Sequence, residues 1–153
     1  MVAILIMVTF LTGCRSSTDS FITEEVNPNI DVLGIKLDMP ESKVHESAGS
    51  KGEKAMCVYG YEYEYADKHI NIGFKSDKGT VRRITTKNPD TSIYGIMPGT
   101  DLLNAYNQIE ANGFTKNNNS NYKFYKNNII ITIISMKDTL ADGINIEMDP
   151  DQN

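Results

Sequence analysis

The sequence predicts an α+β fold in which a helix followed by three antiparallel strands occurs twice, the two units forming one sheet with both helices on one face. Three observations carry this. Met-Pro recurs at Met39-Pro40 and Met97-Pro98, an offset of 97 − 39 = 58, and each time opens a helical stretch. Proline is tolerated there because a first-turn N–H has no intrahelical partner. A glycine, Gly49 or Gly113, closes each stretch, as is favoured just past a helix end. The segments that follow alternate: Ile70, Ile72 and Phe74 oppose His69, Asn71 and Lys75, and Ile144, Ile146 and Met148 oppose Asn145 and Glu147. One packed and one wet face marks an antiparallel sheet with its helices on one side.

Composition bounds the rest. A chain of 153 residues with a leader leaves room for one ordinary domain or two very small ones. With 40% hydrophobic and 23% charged residues, it lies in the globular range and not the disordered one. A net charge of -5, with Lys and Arg scattered, excludes a partner chosen by phosphate charge, since nucleic-acid binders need a basic face.

Taken in order, Val2 to Leu11 is an apolar run interrupted only by Thr9. It is too short to span a bilayer, which takes about 20 residues, and fits the ~7 to 15 of a signal-peptide core. The four residues Leu11-Thr12-Gly13-Cys14 that close it resemble the lipobox of bacterial lipoproteins. That resemblance implies a signal peptide over residues 1–13, cleavage between Gly13 and Cys14, and a diacylglycerol thioether on Cys14. The protein would then sit at the outer face of the cytoplasmic membrane, or on an outer membrane if the source is diderm. Two acyl chains anchor a protein stably where one holds it marginally.

Residues 14–30 read as a lipidated tether, polar and ending in Asn27-Pro28-Asn29, with a reach of roughly 20 Å for fifteen flexible residues. Residues 31–90 form the first unit: a helix from Met39 to Gly49 packed through Val44, then strands Tyr59 to Tyr65, His69 to Phe74 and Thr80 to Thr86. A hairpin turn at Ser76-Asp77-Lys78-Gly79 joins the last two. Residues 91–149 form the second unit. Its helix, Thr100 to Asn112, places Leu102, Leu103, Tyr106 and Ile109 on one side, and its strands are Tyr122 to Tyr125, Ile129 to Met136 and Ile144 to Met148. Residues 150–153 are a tail.

The stretch Met39 to Gly49, with Val44 midway, resembles the Gly-Met-Thr-x-x-x-Val-x-x-x-Leu-Gly helix motif of the small outer-membrane-assembly lipoproteins of the BamE (SmpA/OmlA) group. The doubled helix-plus-sheet layout is similar to that of the β-lactamase inhibitor proteins (BLIP). Both resemblances imply a small, non-catalytic binding module that presents a sheet or loop surface to another protein. The matching positions pack the helix, so no contact residue carries over.

Chemistry is sparse. His45 and His69 lack a metal-ligand spacing and read as surface residues, and no nucleophile elbow or phosphate loop is present. Glu62 and Glu64, about 7 Å apart on one strand face, have a hydrolase-like spacing. No sugar-binding Trp accompanies them. No catalytic residue, metal or cofactor is therefore expected. With Cys14 lipidated, Cys57 has no disulfide partner and reads as a buried thiol on a strand. The candidate binding surface is Tyr59, Tyr61, Tyr63 and Tyr65, a stripe on one strand face, with Ile130 and Ile134, which put apolar side chains opposite Ile129, Ile131 and Ile133. The expected function is a membrane-anchored extracytoplasmic module that binds or inhibits an envelope or extracellular protein. The alternative, a small envelope hydrolase or solute-binding lipoprotein, requires polar groups converging in a cleft.

Overall fold

Packing begins well before the expected end of the tether. A computed structural model describes residues 20–150; the expected cleavage and lipidation at Gly13 and Cys14 fall outside the described residues. Within them, Ile22–Val26 form a wide helical turn and Asn27–Asn29 a tighter one, and Phe21, Ile22, Val26 and Ile30 are all buried. Ile22 and Val26 stand four apart, the spacing that puts two apolar side chains on one helical face. The second half of the expected tether is thus part of the core. Asn27 fastens it, its side-chain amide donating to the Leu37 carbonyl and its Oδ1 accepting from the Leu37 N–H, at 3.1 and 2.9 Å.

Besides a short helical turn at Ala66–Lys68, the remaining elements are β1 (Ile30–Asp31), α1 (Glu41–Ala48), β2 (Glu53–Cys57), β3 (Gly60–Tyr65), β4 (Ile70–Lys75), β5 (Val81–Thr86), β6 (Ser92–Ile93), α2 (Leu102–Ala111), β7 (Thr115–Lys116), β8 (Lys123–Lys126), β9 (Ile129–Ile134) and β10 (Gly143–Met148). The fold is α+β. Eight strands form an antiparallel sheet in the order β2-β3-β4-β5-β10-β9-β8-β7, and β1 and β6 pair separately. Four strands of the eight-stranded sheet follow each helix, not the three expected, because β2 and β7 precede the strands that periodicity reveals.

The Met-Pro offset is not the one at which the backbone repeats a turn. Val32-Leu33-Gly34-Ile35 and Ile93-Tyr94-Gly95-Ile96 make the same turn, with Leu33 and Gly34 at φ 52° and 74° and Tyr94 and Gly95 at 53° and 75°. Each turn is closed by a bond from its last N–H to its first carbonyl, at 2.8 and 3.0 Å. That offset is 95 − 34 = 61, and the same number takes Pro40, which precedes α1, to Asp101, which caps α2 by accepting from the Asn104 N–H. Pro98 lies one turn upstream of the second helix. Gly49 ends α1 at φ 71°, as its missing Cβ allows.

One face of the sheet is covered by both helices. The row Tyr63, Ile72, Ile84, Ile146, Ile131, Phe124 crosses six strands in register and joins Val44 and Ala48 of α1 and Ala105 and Ile109 of α2 in one buried cluster. Leu103, expected to pack, is 65% exposed; α2 seats itself through Ala105, Ile109 and the partly buried Leu102 and Tyr106.

Candidate functional site

The six residues expected to form one surface are split between two faces. Tyr61, Tyr63 and Tyr65 point into the helix-covered layer, where α1 meets them with polar groups. Tyr61 and Tyr63 each donate a 2.6 Å hydrogen bond to the Glu41 carboxylate, and Tyr65 Oη lies 2.8 Å from His45 Nδ1. His45 Nε2 reaches Glu41 at 3.4 Å, since the two are one turn apart on α1. The stripe is therefore core with its hydroxyls satisfied, and His45 is not a free surface residue. Tyr59 alone stays outside, 51% exposed at the turn between β2 and β3.

This network has a titration signature. Burial alone would raise the Glu41 carboxyl, but hydrogen bonds from Tyr61, Tyr63 and His45 and the charge of Lys54 outweigh it and hold the group below its usual 4.5. Tyr61 is pushed up to about 12, first by burial and then by Glu41; Tyr63 is pushed up to about 12, first by its bond to Glu41 and then by burial. A depressed carboxylate stabilises the fold above its unfolded value and loses that contribution as pH falls through the lower, folded value. A raised phenol contributes fully below 10 and loses it as pH rises toward 12. The urea midpoint is thus expected to fall below pH 4.5 and above pH 10, and Glu41→Gln should flatten the acid limb. An acid limb identical in wild type and Glu41→Gln would defeat the assignment.

Ile130 and Ile134 stand on the other face of the sheet, over which no described helix packs. There one row runs Ala55, Glu62, Gly73, Arg83, Glu147, Ile130, Tyr125, and the next runs Glu53, Glu64, Asn71, Thr85, Asn145, Thr132, Lys123. Ile130 is 6% exposed yet lies outside the main core cluster, with Tyr125 and Glu147 as its cross-strand neighbours. Arg83 lies across Gly73, whose missing side chain leaves the path open: a Cβ there would sit 3.2 Å from the Arg83 Cβ and 3.3 Å from its Nε. The guanidinium so placed donates to Glu62 and, at 3.4 Å, to Asn71 Oδ1.

Beside this ion pair lies a hollow of about 590 Å³, walled by Glu64, Asn71, Arg83, Thr85 and Lys87 with Ile134 and His69 at its margins. His69 holds a left-handed backbone, φ 53°, fixed by bonds between its N–H and the Ala66 carbonyl and between its own carbonyl and the Lys87 N–H. Glu64 and His69 share the hollow, whereas Glu62 is tied to Arg83, so the two carboxylates do not act as a free pair. Among the described residues no group of three His, Cys, Asp or Glu is placed to hold a metal ion. Cys57, expected to be buried, is half-buried at the end of the edge strand β2. Sequence reasoning missed Arg83, whose role depends on the glycine opposite it; a Gly inside the alternating stretch Ile70 to Lys75 was the available signal.

Neither a family model nor a curated protein matches the chain. Among solved structures, its fold is similar to that of an extracellular protein containing a SCP domain from Bacillus anthracis str. Ames, at a TM-score of 0.58 and 9% identity. The match covers 95% of this chain and 51% of the other, so the chain spans about half the length of that protein, and what the two share is a fold.

Proposed function

We propose that this chain is a lipid-anchored, extracytoplasmic module without catalytic activity, and that the face of the sheet opposite the helices is where it binds an envelope or extracellular protein. The observation that carries the reading is the asymmetry of the sheet. The central strands of the eight-stranded sheet are buried against helices on one side, while the other side presents Arg83, Glu64 and Ile134 around a hollow, with Glu62 and Tyr125 in a neighbouring row. Mixed charge around partly exposed apolar and aromatic groups suits protein contact better than a nucleic acid or a lipid surface. The lipobox at Leu11 to Cys14 supports the anchor, and the extracellular setting of the SCP-domain protein is consistent with it. We also read the two halves as copies of one ancestral unit, on the strength of their common 61-residue offset.

The test is made on the full chain in a bacterium. Wild type should take up labelled lipid and stay with membranes, and Cys14→Ala should lose both. A photo-crosslinking residue at Thr132, on the open face, should give a discrete adduct that one at Lys43, on α1, does not. Adducts from Lys43 alone would place recognition on the helices and sink the proposed surface, and lipid uptake by Cys14→Ala would sink the anchor.

A further inference from the structure

Net charge conceals an uneven chain. Residues 112–137 hold Lys116, Lys123, Lys126 and Lys137 and no Asp or Glu, which leaves the rest of the chain with 15 − 4 = 11 basic and 20 acidic residues, a charge of 11 − 20 = -9. Scattered in sequence, three of these lysines meet in the fold. β7 pairs with β8 so that Lys116 stands opposite Phe124, between Lys123 and Lys126, and all three line the last edge of the sheet. Lys123 is exposed and Lys116 Nζ lies 4.8 Å over the Tyr106 ring; neither enters an ion pair among the described residues. Two carboxylates beside this edge are already engaged, Glu25 at 3.2 Å from Lys126 and Asp138 as acceptor of the Tyr122 hydroxyl. The connector 117–121 carries no charge.

The chain enters the fold at this same edge. Phe21 is buried there, with Lys126 Nζ 5.5 Å from its ring centre. Cys14 precedes Ser20 by 20 − 14 = 6 positions, a span of at most about 22 Å at ~3.6 Å per residue. β2, at the opposite edge, stands six strand spacings from β8, about 29 Å at ~4.8 Å each. A chain lipidated at Cys14 therefore cannot stand on its β2 edge, whereas the β7–β8 edge comes within reach of the bilayer. Anionic headgroups attract lysines within about a Debye length, ~8 Å, and repel the acidic remainder of the chain. Three cations are too few to choose a membrane; with acyl chains doing that, they need only decide which side of the domain is presented. Tyr122 and Tyr125, half-buried on the same edge, combine the apolar body and polar tip that suit a headgroup layer.

We infer that the β7–β8 edge, through Lys116 and Lys123, is the surface this chain lays on the anionic headgroups of its own membrane. The inference rests on the anchor at Cys14 and not on the open face as a binding surface. It sets β2, and the exposed Val58 beside it, farthest from the bilayer.

The chain contains no Trp, so a single introduced Trp reports its own position. The full chain, matured in a bacterium and weighed for acylation at Cys14, is reconstituted into phosphatidylcholine vesicles with about 30% phosphatidylglycerol and a nitroxide-headgroup lipid that quenches fluorescence. Asn119→Trp, in the 117–121 connector, should be quenched at least about twofold more than Val58→Trp, at a position 91% exposed beside β2. The difference should shrink in vesicles of phosphatidylcholine alone, in about 1 M salt, and when Lys116→Gln and Lys123→Gln are added to Asn119→Trp. The neutral vesicles keep both lysines, so the result does not depend on how the lysine variants fold. Equal quenching at the two positions, or a difference unchanged in neutral vesicles, overturns the inference and leaves the anchor intact. A chain without lipid on Cys14 overturns the anchor and the inference with it.

Discussion

Gly60→Ala is expected to remove a large part of the protein's stability. Gly60 opens β3 at φ 140°, and a Cβ built on it would stand 2.2 Å from the Phe74 carbonyl oxygen and 3.1 Å from the Ser76 nitrogen. Both are backbone atoms of the neighbouring strand and the turn after it, so relief requires β3 to move away from β4. Overpacking of this kind costs ~1 to 3 kcal/mol and a backbone held in a sparsely populated region about as much again, against a typical total of ~5 to 15. The drop in urea midpoint should exceed that of Gly49→Ala, which shares a positive φ of 71° but meets nothing within 4 Å. Equal losses at the two sites would show that crowding at Gly60 is not felt.

Phe74→Ala should cost about 3 to 5 kcal/mol, the range for emptying a buried aromatic site. Its ring is fully buried, stacked on Tyr61 at 5.3 Å and 7° and met edge-on by Tyr63 at 5.7 Å and 90°. These are the two tyrosines that bind Glu41, so the cavity would also loosen α1 and shift the acid limb of the stability curve. Leu103→Ala, on the exposed side of α2, should change stability by less than about 0.5 kcal/mol. A loss below about 1 kcal/mol at Phe74 would mean that α1 and its tyrosines close over the gap.

How much of this was legible depended on whether one face of an element was buried. β4, β9 and β10 alternate because each has a core side, and their strands were read to within a residue or two of their ends. β2, Glu53-Lys54-Ala55-Met56-Cys57, has no such side: as an edge strand it is exposed along nearly all its length, so periodicity had nothing to report. β7 is two residues long and is held by its pairing with β8. Phe21, Ile22 and Val26 were hidden by the polar residues between them. Gly34 and Gly95 held the internal offset through a conformation, the left-handed turn, that a search for matching letters passes over in favour of Met-Pro. The tyrosine stripe was recognised as a stripe; what faces it was not, because Glu41 and His45 look like solvent residues until the helix is laid on the sheet. Ile130 and Ile134 were legible as a second apolar face. The path of Arg83 over Gly73, and the inward turn of Arg82 at the register shift between β4 and β5, are products of register and a bulge, which no single segment encodes.

The order of the sheet also sets the order of assembly. The middle of the sheet is the seam between β5 and β10, and the paired residues Arg83 and Glu147 are 147 − 83 = 64 positions apart in the chain. A chain emerging from its amino end completes β2 to β5 early and then holds one side of β5 open until 143 − 86 = 57 further positions have appeared. Closing so long a loop is slow, and an open strand invites pairing with another chain in the meantime. The waiting strand reads Val81-Arg82-Arg83-Ile84-Thr85-Thr86, and two adjacent cations on an unpaired edge oppose its meeting a copy of itself. Of the two, Arg83 is already paired with Glu62 of β3, so the charge that Arg82 keeps on this edge is what opposes self-association of the half-built sheet until β10 arrives and sets Glu147 Oε2 3.8 Å from its Nη1.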